Sequence, residues 1–160
     1  MKTAVYTGSF DPITLGHLNV IERSAKLVDK LVIGIGVNIE KTGLFLPEER
    51  IDLVQRVTAH LNNVEVKSFQ GLAVNFVQAC DSKVMIRGVR PLTDIAAEFT
   101  MMMANRALND ELETVFLMAD GEYAHVSSSL IKQVTPLSSD EQLARFVPVE
   151  IIPDLRRKLS

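Results

Sequence analysis

Short runs of hydrophobic residues alternate along this chain with longer segments in which hydrophobic residues recur every three or four positions. The run 31–37 is continuous and rich in β-branched residues, which is typical of a strand covered on both faces. Four further runs predict strands around 4–6, 64–66, 83–86 and 115–118. The periodic segments between the strands predict helices over about 18–28, 47–61, 74–80 and 93–108.

Strand and helix alternate through all five predicted strands, so the strands are expected to be parallel with right-handed crossovers. We therefore predict an α/β fold: one domain over residues 1–160, built on a doubly wound, Rossmann-like, five-stranded parallel sheet. The chain from Ser127 onward is predicted to form C-terminal helices interrupted at Pro136, Pro148 and Pro153. In such sheets ligands bind beyond the carboxyl ends of the strands, where the strand order reverses. Residues that follow strands one, two, four and five are therefore the candidates for chemistry.

Composition narrows the function classes. The 160 residues are 47% hydrophobic and 23% charged, and the formal net charge is −3, which argues against a general nucleic-acid binder. An anionic small substrate stays compatible, since a few basic groups facing one cleft can dominate the local field. Cys80 is the single cysteine, so an internal disulfide and a cysteine-rich zinc site are excluded. With no signal peptide or membrane-length apolar run evident, we expect a cytoplasmic protein that binds no membrane.

The first predicted strand is followed by Gly-Ser-Phe-Asp-Pro at 8–12 and Thr-Leu-Gly-His at 14–17. Gly8 and Gly16 allow the backbone to approach a ligand closely, and the next helix offers free N–H groups to a phosphate. His17 is expected to face the same cleft. Each residue alone is compatible with an ordinary turn or a surface histidine, but the combination after a first parallel strand favours a binding site. No dinucleotide fingerprint or P-loop is present.

Basic residues follow two other strands. Lys41 lies in the loop after strand two, and strand four is followed by Ile-Arg-Gly-Val-Arg, which places Arg87 and Arg90 where they could hold phosphate oxygens. Glu98, in the next helix, could accept hydrogen bonds from a ribose or orient an arginine. Surface charges and an ordinary helix carboxylate are the alternatives.

The segment after strand five, 123–129, ends in three serines at a predicted helix start. Capping of the helix accounts for one serine but not for three. His125 lacks a second histidine at zinc-ligand spacing, no Ser–His–Asp arrangement can be assigned, and no residue is predicted as a metal ligand.

Together these motifs resemble the T/H-x-G-H nucleotidyltransferase superfamily and, within it, the bacterial phosphopantetheine adenylyltransferase family. The resemblance runs from Val5 to about Val134 and rests on T-G-S-F-D-P, T-L-G-H, I-R-G-V-R and V-S-S-S-L-I-K. It implies transfer of AMP from ATP to 4′-phosphopantetheine, which gives dephospho-coenzyme A and pyrophosphate in the penultimate step of coenzyme A biosynthesis. It also implies direct in-line attack without a covalent enzyme intermediate, Mg²⁺ as cofactor, a homohexamer, and feedback inhibition by coenzyme A.

The resemblance further implies residue roles. His17, Lys41 and Arg87 are predicted as catalytic, and the phosphopantetheine contacts are predicted at Ser9, Lys41, Leu72, Ala73 and Arg87. Predicted contacts to ATP are Ser9, Phe10, His17, Gly88, Val89, Arg90, Glu98, Tyr123, Ala124, His125, Val126, Ser127, Ser128 and Ser129.

Two other functions stay open. One is a related enzyme with another acceptor, such as a nicotinamide mononucleotide adenylyltransferase or a cytidylyltransferase; the segments I-R-G-V-R and S-S-S-L-I-K favour phosphopantetheine. The other is a nucleotide-sensing module without catalysis, against which His17, Lys41 and Arg87 argue.

Overall fold

A five-stranded parallel sheet forms the centre of the molecule in a computed structural model that describes residues 1–90 and 94–160. Its strands are β1 (Thr3–Gly8), β2 (Lys30–Gly36), β3 (Val64–Phe69), β4 (Val84–Val89) and β5 (Glu113–Met118). Their spatial order is β3-β2-β1-β4-β5, so the direction of winding reverses between β1 and β4. This arrangement confirms the predicted doubly wound α/β fold.

Seven α-helices are described around and after the sheet. They are α1 (Leu15–Ala25), α2 (Pro47–Val57), α3 (Ala73–Ala79), α4 (Ile95–Leu108), α5 (Ser128–Val134), α6 (Asp140–Leu143) and α7 (Ile152–Leu159). Short 3₁₀ turns lie at Gly121–Tyr123, Thr135–Leu137 and Val149–Ile151. Within 1–90 and 94–160 the helices are too short or too polar to span a lipid bilayer.

Local sequence explains where the helices around the site begin. The Thr14 hydroxyl accepts the N–H of His17 and caps α1, and the Ser127 hydroxyl accepts the N–H of Leu130 and caps α5. Helix α2 begins at Pro47, whose missing N–H costs nothing in a first turn. Each of these starts lies beyond the carboxyl end of a strand, so helix starts and strand ends meet at one edge of the sheet.

The two faces of the sheet are covered unequally. Neighbouring residues of a strand point to opposite faces, and in β1 Ala4 and Tyr6 join the larger core while Val5 joins a smaller one beneath α3. The larger core also takes in Leu143, Ile151 and other apolar residues of the C-terminal helices, so the end of the chain stabilises the same layer as α1 and α2. By contrast, α4 keeps several large apolar residues exposed, namely Ile95, Phe99, Met101, Met103 and Leu108.

Several predicted boundaries were wrong. Strand β4 continues to Val89, so Arg87 and Gly88 lie inside the strand rather than after it. The glycine did not end the strand because the parallel ladder to β5 continues through it. Pro153 lies in the first turn of α7 rather than interrupting a helix, since a proline is tolerated in that position.

Predicted helix boundaries also differ, and α2 ends at Val57 rather than near residue 61. Val28 lies beyond the end of α1, and Cys80 is the C-terminal cap of α3 rather than a residue within it. Thr93, predicted as the start of the fourth helix, lies outside the described residues, and α4 begins at Ile95.

Candidate active site

A cavity of about 320 Å³ lies at the carboxyl ends of β1 and β4, where the winding of the sheet reverses. This is the position at which doubly wound sheets bind ligands. Twelve of the predicted site residues line it: Ser9, His17, Arg87, Gly88, Val89, Arg90, Glu98, Tyr123, Val126, Ser127, Ser128 and Ser129. The fold therefore brings residues from four separate sequence segments to one cavity.

His17 is held by a reciprocal cap with Thr14. The backbone N–H of Thr14 donates to Nδ1 of His17 over 3.1 Å, while the Thr14 hydroxyl accepts the backbone N–H of His17 over 3.3 Å. Because Nδ1 accepts a hydrogen bond, the proton of the neutral ring lies on Nε2. Burial lowers the pKa of His17 to about 4, and the positive charges of Arg90 and Arg87 act in the same direction. The ring is therefore a neutral hydrogen-bond donor at neutral pH.

Phe10 supports the His17 ring from behind. Its side chain is 1% exposed, its ring centroid lies 4.9 Å from that of His17, and it packs edge-to-face with Tyr6 at a centroid distance of 5.3 Å. Phe10 adopts a φ of 47°, an uncommon conformation for a residue with a side chain. A Cβ at Gly8 would lie 3.0 Å from the Phe10 ring, so glycine gives this ring its room.

Arg87 is fixed by Glu98 and by the end of β1. Its Nε and Nη2 donate to the two carboxylate oxygens of Glu98 over 2.9 and 2.6 Å, and its Nη1 donates to the carbonyl and hydroxyl oxygens of Thr7. Although burial acts to lower it, the pKa of the Arg87 guanidinium is raised by the hydrogen bonds and charge of Glu98. Of the two roles considered for Glu98, the geometry is that of a carboxylate that orients an arginine.

Arg90 forms a second bidentate pair, with Asp94. Its Nε and Nη2 lie 2.8 and 2.9 Å from the carboxylate oxygens of Asp94, and the Arg90 backbone N–H also donates to that carboxylate. The hydrogen bonds from Asp94 raise the pKa of the Arg90 guanidinium. Two arginines thus enter the cavity in fixed orientations, each with its charge partly balanced by one carboxylate.

The three serines differ in what they contact. Ser127 caps α5, and the Ser128 hydroxyl donates to the carbonyl of Pro12 over 2.8 Å, which joins the start of α5 to the turn before α1. Ser129 lies exposed in the first turn of α5, where it lines the cavity. Two of the serines therefore shape the cavity wall, and the third faces its interior.

Six predicted site residues do not line this cavity. Lys41 lies on an exposed loop between β2 and α2, and Leu72 is half exposed at the start of α3. Ala73 lines a smaller cavity of about 100 Å³, which shares Thr7, Arg87 and Glu98 with the first. The others are Phe10, which packs behind His17, and Ala124 and His125. The roles assigned to all six stay predictions.

Thr7, Thr14 and Asp94 hold the predicted site residues in place, although none of the three was itself predicted as a site residue. Thr14 stands three residues before His17, the spacing of a reciprocal N-terminal cap, so this signal was present. Asp94 stands four residues after Arg90, but no motif or periodicity in the sequence marks the two as a pair. Thr7 could not be found, because its contact with Arg87 spans 80 residues of sequence.

Comparison with known proteins agrees with this geometry. A family model described as Cytidylyltransferase-like matches residues 5–134. A nicotinic acid mononucleotide adenylyltransferase from Plasmodium falciparum, solved in complex with NaAD, shares the fold with a TM-score of 0.72 at 12% identity, covering 98% of this chain and 96% of that one. The fold and the site thus define a protein of the nucleotidyltransferase class.

Relatives of higher identity define the family within that class. A phosphopantetheine adenylyltransferase from Rhodopirellula baltica is 65% identical over 158 residues, which cover 98% of this chain and 88% of the relative. One from Clostridium botulinum (strain Eklund 17B) is 48% identical over 158 residues, covering 99% of this chain and 98% of the relative. The chain belongs to the phosphopantetheine adenylyltransferase family.

The low pKa of His17 predicts a specific pH dependence of stability. Between pH 4 and 6.5 the folded chain binds fewer protons at His17 than the unfolded chain, so the free energy of unfolding falls as the pH is lowered through this range. His17→Gln keeps an acceptor for the Thr14 cap but removes the titrating ring. We expect denaturant titrations to show a shallower loss of stability from pH 6.5 to 4 for His17→Gln than for the wild type. If the free energy of unfolding fell equally with pH in both proteins, the pKa of His17 would be the same in the folded and unfolded chain, and the prediction would be wrong.

Proposed function

We propose that this chain catalyses the transfer of AMP from ATP to 4′-phosphopantetheine, yielding dephospho-coenzyme A and pyrophosphate in the penultimate step of coenzyme A biosynthesis. Membership of the family supports this activity and acceptor. The observation that carries the proposal is the meeting of His17, Arg87 and Arg90 in one cavity at the reversal point of the sheet. All three are hydrogen-bond donors, as a site for several phosphate groups requires.

The reaction is a direct in-line displacement. A phosphate oxygen of phosphopantetheine attacks the α-phosphorus of ATP, the bond from that phosphorus to the bridging oxygen breaks, and pyrophosphate leaves with the electron pair. No covalent intermediate with the protein is required. Positioning of the two anions and stabilisation of charge at the α-phosphorus would supply the rate enhancement.

His17 acts here as a donor and not as a base. A phosphate nucleophile is already ionised at neutral pH, and a ring with a pKa of about 4 is a weak proton acceptor. The Nε2–H proton, fixed by the Thr14 cap, suits an interaction with a nonbridging oxygen of the α-phosphate. Because the His17 ring is neutral, the positive charge of the site is carried by Arg87 and Arg90.

Arg87 lies between the two cavities and so can contact both reactants. The smaller cavity shares Arg87 with the nucleotide-sized one and is lined by Ala73, Met85 and Met102 among others. An apolar slot of this kind suits the pantetheine arm, with its phosphate at Arg87 and its chain directed toward Ala73. Lys41 would be a second cation that binds the reacting phosphates, and its exposed loop would carry it to them.

A divalent metal belongs to the family's chemistry, and we propose Mg²⁺. The residues of this site do not form a cage for it: no group of three potential ligand side chains occurs in the described parts of the chain. Glu98 and Asp94, the carboxylates that line the cavity, are paired with arginines. The ion would therefore enter bound to the phosphates of ATP and balance their charge, and no step is assigned to it here.

We also propose a homohexamer, inhibition by coenzyme A, and a cytoplasmic location. Exposed Phe99 and Met101 on α4, beside the partly exposed edge strand β5, support assembly through this face. Coenzyme A contains both the adenylyl and pantetheine groups of the product, so the same two cavities would accept it. The cytoplasmic location stays a prediction from the sequence.

Assays with different acceptors test the activity. Purified protein with ATP, Mg²⁺ and 4′-phosphopantetheine is expected to release pyrophosphate and form dephospho-coenzyme A, detected by chromatography. Matched control reactions use other acceptors in place of phosphopantetheine. These are nicotinate mononucleotide and nicotinamide mononucleotide with ATP, and phosphorylated acceptors of cytidylyltransferases with CTP. A faster rate with any of these would overturn the acceptor assignment, and ATP binding without turnover would indicate a sensing module.

The role of His17 predicts a separation of rate from binding. Because the ring donates to charge that develops in the transition state, His17→Ala should lower kcat on the order of 10²–10³-fold. The Kd for ATP should change much less. His17→Gln keeps an acceptor for the Thr14 cap and an amide N–H donor, so it should retain more of the rate and a melting temperature at pH 7.5 near that of the wild type. Equal losses in kcat and ATP affinity would assign His17 to ground-state binding.

If subunits assemble through α4, a single negative charge introduced on that helix should weaken the assembly. Phe99 is 54% exposed in the isolated chain, so glutamate there would be tolerated by a monomer but buried at a subunit contact. We expect light scattering to give the mass of six chains for the wild type and a smaller assembly for Phe99→Glu. Arg106→Glu, on the same helix but at a charged exposed position, is the control. An unchanged mass for Phe99→Glu would place the interface elsewhere.

A further inference from the structure

Arg50 is a buried cation on α2 that faces three main-chain carbonyls. It is 7% exposed, and its Nε donates to the carbonyl of Phe45 over 3.1 Å. Its Nη1 donates to the carbonyls of Ser9 and Gly36 over 3.2 and 3.3 Å. These acceptors belong to the turn after β1, the end of β2 and the loop before α2. One side chain thus joins three segments that meet beside the active site.

Asp11 holds the same loop from the opposite side. It is 7% exposed, and its two carboxylate oxygens accept the backbone N–H groups of Leu44 and Phe45, each over 2.8 Å. Lys132 of α5 lies 3.5 Å from the same carboxylate. The peptide units around Phe45 are therefore held by an anion at their N–H side and by a cation at their carbonyl side.

Burial of these two charges is costly unless hydrogen bonds or opposite charges compensate for the lost water, and here main-chain carbonyls and N–H groups do so. The other buried residues of α2 are Leu53, Val54 and Val57, which pack without polar partners. Arg50 is different, because a planar guanidinium can reach carbonyls in three directions at once. The arrangement resists sliding of the loop against the Ser9 turn in a way that apolar packing alone does not.

We propose that Arg50 and Asp11 are positioning residues that lock the 38–46 loop, and with it Lys41, against the turn that carries Ser9. Lys41 stands four residues before Phe45, on the exposed part of this loop. The two residues act through Lys41 on the acceptor side of the reaction, so this inference rests on the proposed function. They contact neither cavity directly.

Amide hydrogen exchange tests the lock without any assay of activity. In Arg50→Met we expect exchange at Leu44 and Phe45 to be about tenfold faster or more, and Arg50→Lys should restore part of the protection because it keeps one charged donor. Arg56→Met is the matched control, since Arg56 lies on the same helix but pairs with the exposed Asp52 and with Asp154. Unchanged exchange in folded Arg50→Met, or the same increase in Arg56→Met, would overturn the proposal.

Kinetics then test the link to Lys41. We expect Arg50→Lys to raise the KM for phosphopantetheine about tenfold while leaving the Kd for ATP within twofold. Lys41→Ala should cost less in kcat/KM when introduced into Arg50→Lys than into the wild type, because the lysine is already displaced. Equal costs in both backgrounds would show that Arg50 does not act through this loop.

The outcomes separate this inference from the proposed function. A wild type that does not adenylylate phosphopantetheine would overturn the function, while the exchange measurement would still decide whether the lock exists. A wild type that is active but insensitive to Lys41→Ala would remove Lys41 from the reaction and with it the kinetic half of the inference. Should Arg50→Met fail to fold, Arg50→Lys and Asp11→Asn provide the same exchange measurement.

Discussion

The reversal of winding between β1 and β4 is the constraint on which the rest of the site depends. The chain passes from β1 to β2 on one side and from β4 to β5 on the other, which leaves a gap between the carboxyl ends of β1 and β4. The cavity fills this gap. The first turn of α1 contributes His17, the end of β4 contributes Arg87, and the segment after β5 closes the far wall with the start of α5. A sheet wound in one direction would place the same residues under a crossover.

Within this gap, the side chains proposed to act on the substrate are each held by a neighbouring side chain. Thr14 fixes the tautomer of His17, Phe10 supports its ring, and Glu98 orients Arg87. Arg50 and Asp11 extend the same principle to the backbone beside the cavity. Preorganisation of this kind suits the direct transfer proposed above, in which the protein would form no bond to the reactants and act through position and charge.

Sequence patterns predicted the sheet and most of the cavity because both depend on local signals. Hydrophobic runs mark the strands. Residues near the carboxyl ends of parallel strands lie at the same edge of the sheet even when the predicted strand ends are wrong by a few residues. The end of β4 was missed because the ladder to β5 overrides the preference of Gly88 for an irregular conformation. Thr7 and Arg50 were not found because their contacts depend on tertiary packing, which no spacing along the chain encodes. The motif after β1 marked Phe10 as a candidate site residue, but it did not predict that the Phe10 side chain is buried.

The bidentate pairs of Arg87 with Glu98 and of Arg90 with Asp94 change what the empty cavity offers to its surroundings. Two bare guanidinium groups would attract any small anion, whereas groups already joined to carboxylates present little free charge. An entering phosphate must compete for donors that are already in use. A ligand with several phosphate groups can offset this competition through several simultaneous contacts, whereas a single small anion makes fewer. The carboxylates therefore lower the positive potential of the cavity and leave each entering phosphate to compete with them for the arginine donors.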